Sequence, residues 1–75
     1  MHRSSPEYIQ IISDLKGRRK ELRLTQKEVA ESLGKSQSFM AKIENYEQEL
    51  SVTELFQLLK VLNLDMSKYF TKTKV

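Results

Sequence analysis

The chain has no cysteine, one proline, two glycines and one histidine in 75 residues. Without cysteine there is no disulfide framework and no thiolate metal site, so the fold rests on packed side chains, and nothing argues for an oxidising compartment. The histidine is His2, in the N-terminal tail. No Cys, His or carboxylate cluster has metal-ligand spacing, and no glycine-rich loop could cradle a nucleotide. An enzyme, a metal and a cofactor are therefore not expected. No apolar run approaches the roughly 20 residues of a membrane-spanning helix, and Met1 to Pro6 lacks the hydrophobic segment of a secretion signal. The expected location is the cytoplasm. The length suits one domain and is too short for two, so the core must be small.

Charge is present, unevenly. The net charge is +3, but between Lys16 and Lys42 eight cations face three anions, whereas from Tyr46 onward four meet four. A basic N-terminal half beside a neutral C-terminal half suits a polyanion at one end of the molecule and something else at the other. An ordinary solvated surface accounts for the charge equally well if charge is taken alone.

The apolar spacing is helical throughout, and no stretch alternates long enough for a strand. Two openings fit the first helix: Ser4 with Glu7 as a capping box, or Ser5 as the cap with Pro6 in the first turn. Tyr8, Ile12, Leu15, Arg19 and Leu22 then form one stripe. Thr25-Gln26-Lys27-Glu28 is a capping box for a short helix with Val29, Ala30 and Leu33 inward, stopped by Gly34. Ser36 caps a third helix. Ser51-Val52-Thr53-Glu54 caps a fourth, with Val52, Leu55, Phe56, Leu59 and Leu62 at helical spacing and Asn63 as its stop. Asp65 can cap a fifth holding Met66, Tyr69 and Phe70. The expectation is a five-helix, all-α domain spanning residues 1–75, with 71–75 a frayed tail.

Two helices joined by the tight Gly34-Lys35 connection, over about residues 25–45, form a helix-turn-helix. Met40 and Ile43 set the inward side of the third helix. Its opposite side carries Ser38, Ala41 and Asn45, flanked by Gln37 and Lys42. A solvated face usually carries Glu and Lys; this one is small, neutral and able to hydrogen-bond. A DNA major groove admits one helix, Gln and Ser can pair with base edges, Lys with guanine acceptors, and Ala leaves room for a thymine methyl. Singly, each is an ordinary surface residue; together they share one face.

Arg19 breaks the apolar stripe of the first helix. A cation there either reaches water along its stem or meets a buried acceptor. Glu44, at the edge of the third helix's inward face, is the candidate partner.

Leu24-Thr25-Gln26-Lys27-Glu28-Val29-Ala30, Leu33-Gly34-Lys35-Ser36-Gln37-Ser38, Ile43-Glu44 and Leu50-Ser51 with the leucine-rich fourth helix resemble the phage repressor/Cro-type helix-turn-helix family, also called the XRE family. The match runs from about Ile12 to Phe70. It implies a lambda-repressor-like fold and double-stranded DNA as partner. By resemblance Gln37, Ser38 and Lys42 would reach bases. Gln26 and Asn45 would hold phosphate, with Lys27, Lys35 and Ser36 assigned beside them. Arg19 and Glu44 occupy the places of the family's interior ion pair. Tyr46 departs from the pattern, which has glycine there. The expectation is that the left-handed residue shifts to Asn45, which puts Asn45's phosphate contact in question.

Relatives of this kind bind symmetric operators as dimers. Leu64, Met66, Tyr69 and Phe70 are the expected seam, unless they only close the monomer's core. The resemblance implies a transcriptional regulator with no attached sensor domain for a small molecule, acting as repressor or controller on a palindromic operator. The competing class is a protein-interaction module, such as an antitoxin binding a partner toxin.

Overall fold

The computed structural model describes residues 5–65 and Ser67. Among these residues there are four helices and no strand: α1 Pro6–Glu21, α2 Gln26–Ser32, α3 Gln37–Glu44 and α4 Val52–Leu62. None is long and apolar enough to cross a membrane.

Each helix starts at a hydroxyl that satisfies an otherwise orphaned backbone N–H. Ser5 opens α1, its Oγ accepting from the Tyr8 N–H at 3.1 Å, with Pro6 in the first turn where a missing N–H costs nothing. Thr25 with Glu28 and Ser51 with Glu54 form complete capping boxes at the heads of α2 and α4. Ser36 Oγ accepts from the Phe39 N–H at 3.3 Å to open α3.

The four helices also end alike. In each, a residue at or just after the cap has positive φ: Arg23 at 59°, Gly34 at 70° and Tyr46 at 62° follow the caps of α1, α2 and α3, and Asn63 at 50° is itself the cap of α4. Each time, the N–H of the following residue reaches back five positions. These bonds are Leu24 N to Arg19 O, Lys35 N to Ala30 O, Glu47 N to Lys42 O and Leu64 N to Leu59 O, at 2.8–3.0 Å. This is the Schellman closure, which satisfies the last carbonyls at the cost of a left-handed residue. Only Gly34 and Asn63 are residue types suited to it.

α1 lies along α4. Tyr8, at the first turn of α1, is fully buried; its hydroxyl accepts from the Leu50 N–H at 3.1 Å and donates to the Gln48 carbonyl at 3.3 Å. At the other end, Arg18 Nε donates to the Leu62 carbonyl at 2.9 Å. Between these ties, Tyr8, Ile12, Val29, Ile43, Leu58 and Leu62 are the largest fully buried side chains.

Two stripes differ from the expectation. On α1, Leu22 is exposed because the helix has already ended at Glu21, and Ile11 is buried instead. On α4 the inward stripe is Leu55, Leu58, Leu59 and Leu62, while Val52 and Phe56 remain 63% and 55% exposed. At 100° per residue Val52 and Phe56 fall to one flank of that stripe, whereas Leu58 lies within it. The expected fifth helix, capped by Asp65, would fall almost wholly outside the described residues, which contain four helices. Asp65 accepts there from the N–H and the hydroxyl of Ser67, both at 2.9 Å. Met66, Tyr69, Phe70 and the 71–75 tail lie outside the described residues.

Leu58→Ala is expected to cost about 2–5 kcal/mol of stability, since it opens a cavity in the centre of the core. In the monomer, Phe56→Ala is expected to stay within about 0.5 kcal/mol. Urea unfolding followed by circular dichroism measures both.

Candidate nucleic-acid interface

α2, the Gly34-Lys35 connection and α3 are held as one piece. The connection is short because Leu33, Gly34 and Lys35 all donate back into the last turn of α2. Gly34 has φ 70°, a region open to glycine without a Cβ penalty. Lys35 Nζ lies 3.3 Å from Glu54 Oε2 on α4 and 5.4 Å from the centre of the Phe39 ring on α3. It pins the connection to the head of α4, so its assignment to a phosphate competes with an intramolecular ion pair.

α3 buries Phe39, Met40, Ile43 and Glu44. Gln37, Ser38, Lys42 and Asn45 are exposed and Ala41 is half-buried. Phe39 was not among the residues expected inward; it is buried, with the Lys35 ammonium over its ring. Ser38 Oγ lies 3.0 Å from Ser36 Oγ, so one hydroxyl of the face is oriented by the cap. Lys27, on α2, is exposed.

Behind this face sits the buried ion pair. Arg19 Nε donates to Glu44 Oε2 at 2.6 Å and Nη2 to Oε1 at 3.0 Å, a two-pronged contact. Nη1 donates to the Leu24 carbonyl at 2.7 Å, which ties the α1–α2 turn to the same guanidinium. Arg19 and Glu44 are 8% and 4% exposed. Burial pushes the Glu44 carboxyl up; the hydrogen bonds from Arg19 and Gln26 and the charges of Arg19 and Lys16 outweigh it, and the net direction is down.

Gln26 stands between the buried pair and the exposed face. Its Nε2 donates to Glu44 Oε1 at 2.9 Å, and its Oε1 accepts from Gln37 Nε2 at 2.7 Å. A continuous chain thus runs from Arg19 through Glu44 and Gln26 to Gln37. No pattern of spacing announces it; the signal available was that Gln26 and Gln37 both sit in first helical turns facing a short connection.

Tyr46 overturns one expectation. Its φ is 62°, while Asn45 has φ −92°, so the left-handed residue has not moved to Asn45. The reason is the closure itself: the Glu47 N–H reaches the Lys42 carbonyl at 2.8 Å only if the residue before Glu47 turns left-handed. Asn45 keeps its place at the end of α3 with its side chain exposed.

Residues 15–69 match a family model described as helix-turn-helix. No curated protein and no solved structure matches the chain.

Two measurements follow from this geometry. Tyr46→Gly should raise stability by about 1 kcal/mol by relieving a left-handed tyrosine, and Asn45→Gly should not; thermal unfolding of the two variants compares them. The Glu44 carboxyl titrates lower in the folded chain than its ordinary 4.5. Its contribution is therefore fully present above that value and is lost as pH falls through the lower folded value. As pH falls below 4.5, the urea midpoint should drop more steeply for the native chain than for Glu44→Gln.

Proposed function

Because the chain belongs to the helix-turn-helix family of the Cro/C1 or XRE type, a family of DNA-binding transcription regulators, we propose that it is a sequence-specific regulator that places α3 in the major groove of an operator. The observation that carries the proposal is the outward side of α3. Gln37, Ser38 and Lys42 are all exposed on a helix whose other side is buried, with half-buried Ala41 among them. This set offers donors and acceptors of the kind that pair with base edges and little bulk to hold the backbone away. Lys27, Ser36 and Asn45 flank the same face and are the residues we assign to phosphates, with Gln26 behind them. Lys35 would join them only by leaving Glu54.

We further propose a homodimer on a palindromic site, acting as a repressor or controller. The exposed flank of α4 supports the dimer: Val52 and Phe56 are four residues apart and both face solvent. A two-fold interface brings a patch against its own copy, which an apolar pair such as Val52 and Phe56 tolerates. Leu64 is half-buried against the chain's own core, so it supplies only the edge of such a seam. The whole chain then acts as one DNA-binding domain.

Mobility shifts on duplexes selected from a random pool test the reading. Affinity should fall steeply with salt, by nearly one logarithmic unit per tenfold salt for each phosphate neutralised. Lys42→Ala should cost about 1–3 kcal/mol on the selected site and little on others. Lys27→Ala should weaken every duplex alike and lower the salt slope by about one. Inverted repeats in the selected duplexes would support the dimer. A chain that binds no duplex at low salt, and a partner protein with little salt dependence, would favour the protein-interaction class instead.

A further inference from the structure

The hydrogen-bond chain behind α3 has a direction, and chemistry fixes it. Arg19 can only donate and an ionised Glu44 can only accept. Glu44 therefore takes a hydrogen from Nε2 of Gln26, at 2.9 Å. The Gln26 carboxamide must then turn its oxygen toward α3, where it accepts from Gln37 Nε2 at 2.7 Å. Gln37 in turn has its amino group drawn toward Gln26. Its Oε1 is left as the acceptor on the exposed side, with the second hydrogen of Nε2 beside it. A carboxamide is nearly symmetric in shape, so without this chain either end could face outward at similar cost.

We propose that Glu44 is a positioning residue that sets which end of the Gln37 carboxamide meets the DNA, so that the protein prefers adenine over guanine at the base that Gln37 reads. The inference rests on the reading of α3 as the groove-facing helix. Adenine presents an amino donor at its 6-position beside the N7 acceptor, which matches an acceptor beside a donor on Gln37. Guanine carries an oxygen at the same place, so the Gln37 oxygen would face another acceptor. A neutral amide at position 44 can keep its oxygen for Arg19 Nε and turn its amino group toward Gln26, giving up the Arg19 Nη2 bond that shares the same carboxylate oxygen with Gln26. Gln26 and Gln37 then turn over together, and the Gln37 amino group swings outward to a position suited to guanine O6. The buried pair thus does more than join α1 to α3: it transmits a hydrogen-bond polarity to the surface.

The test uses the full chain and the duplex it selects, with each base pair substituted in turn and binding read by fluorescence anisotropy. The position read by Gln37 is the one whose preference disappears in Gln37→Ala. The native chain should prefer adenine to guanine there by about tenfold or more, the scale of one bidentate contact. Glu44→Gln, with its helix content checked, should bring the ratio to within about threefold or reverse it, while preferences at other positions persist. Gln26→Met breaks the relay and leaves the Arg19–Glu44 pair intact; it should level the same ratio, and it carries the test if Glu44→Gln does not fold. An adenine preference that Gln37→Ala removes but both relay variants keep overturns the inference and leaves the reading of α3 standing. A base other than adenine at that position also overturns the inference. Absence of any preference that depends on Gln37 overturns the inference and the role of Gln37 with it.

Discussion

The arrangement depends on the contact between Arg19 and Glu44. It is the point where α1, the turn after it, α2 and α3 meet, because the guanidinium also holds the Leu24 carbonyl and the carboxylate also holds Gln26. Two opposite charges buried without such company would be unfavourable, since desolvation can exceed the attraction. Here every prong has a partner, and no buried side-chain nitrogen or oxygen among the described residues lacks a hydrogen bond. An apolar pair of similar volume could fill the space, yet it could not specify the angle between α1 and α3 through directed bonds, nor orient a carboxamide at the surface.

The helix ends add a second constraint. Four short helices packed into a small core leave little room for loose connections, and the repeated Schellman closure turns the chain within two or three residues each time. That geometry is imposed by backbone hydrogen bonds, so it tolerates an arginine and a tyrosine where glycine would be less strained. At Tyr46 the result is a firm end to α3 directly beside Asn45. At Gly34 it sets the crossing of α2 and α3, which places the exposed side of α3 outward. Lys35 with Glu54, and the Tyr8 hydroxyl with the 48–50 segment, then fasten both flanks of α3 to α4 and α1.

The helix beginnings were legible because a cap is a local event: a hydroxyl and, at two of them, a glutamate three residues later satisfy neighbouring N–H groups and need nothing from elsewhere. The Arg19–Glu44 contact was legible as a buried cation in need of an acceptor. Helix ends were less so, because Arg23 and Tyr46 carry no sign that tertiary packing will demand a left-handed turn of them. The inward side of α4 was misread in Val52, Phe56 and Leu58 because leucines, valine and phenylalanine surround that helix too fully for spacing to choose a direction. Among the candidate site residues, the exposure of Gln37, Ser38 and Lys42 follows from the inward anchors Met40 and Ile43. The place of Gln26 as a bridge did not, since an amide that can bind phosphate can equally bind a carboxylate and another amide. The Lys35 pairing needed the position of Glu54, nineteen residues further along the chain.

In the proposed complex, the outward side of α3 is the surface that meets duplex DNA. Backbone amide shifts recorded while a selected duplex is titrated into the isotope-labelled chain address it directly. The account predicts the largest changes at residues 26–28 and 36–45, with the exposed flank of α4 little affected by the groove. Changes centred on Val52 to Val61, with Gln37 to Lys42 unmoved at saturation, would contradict it.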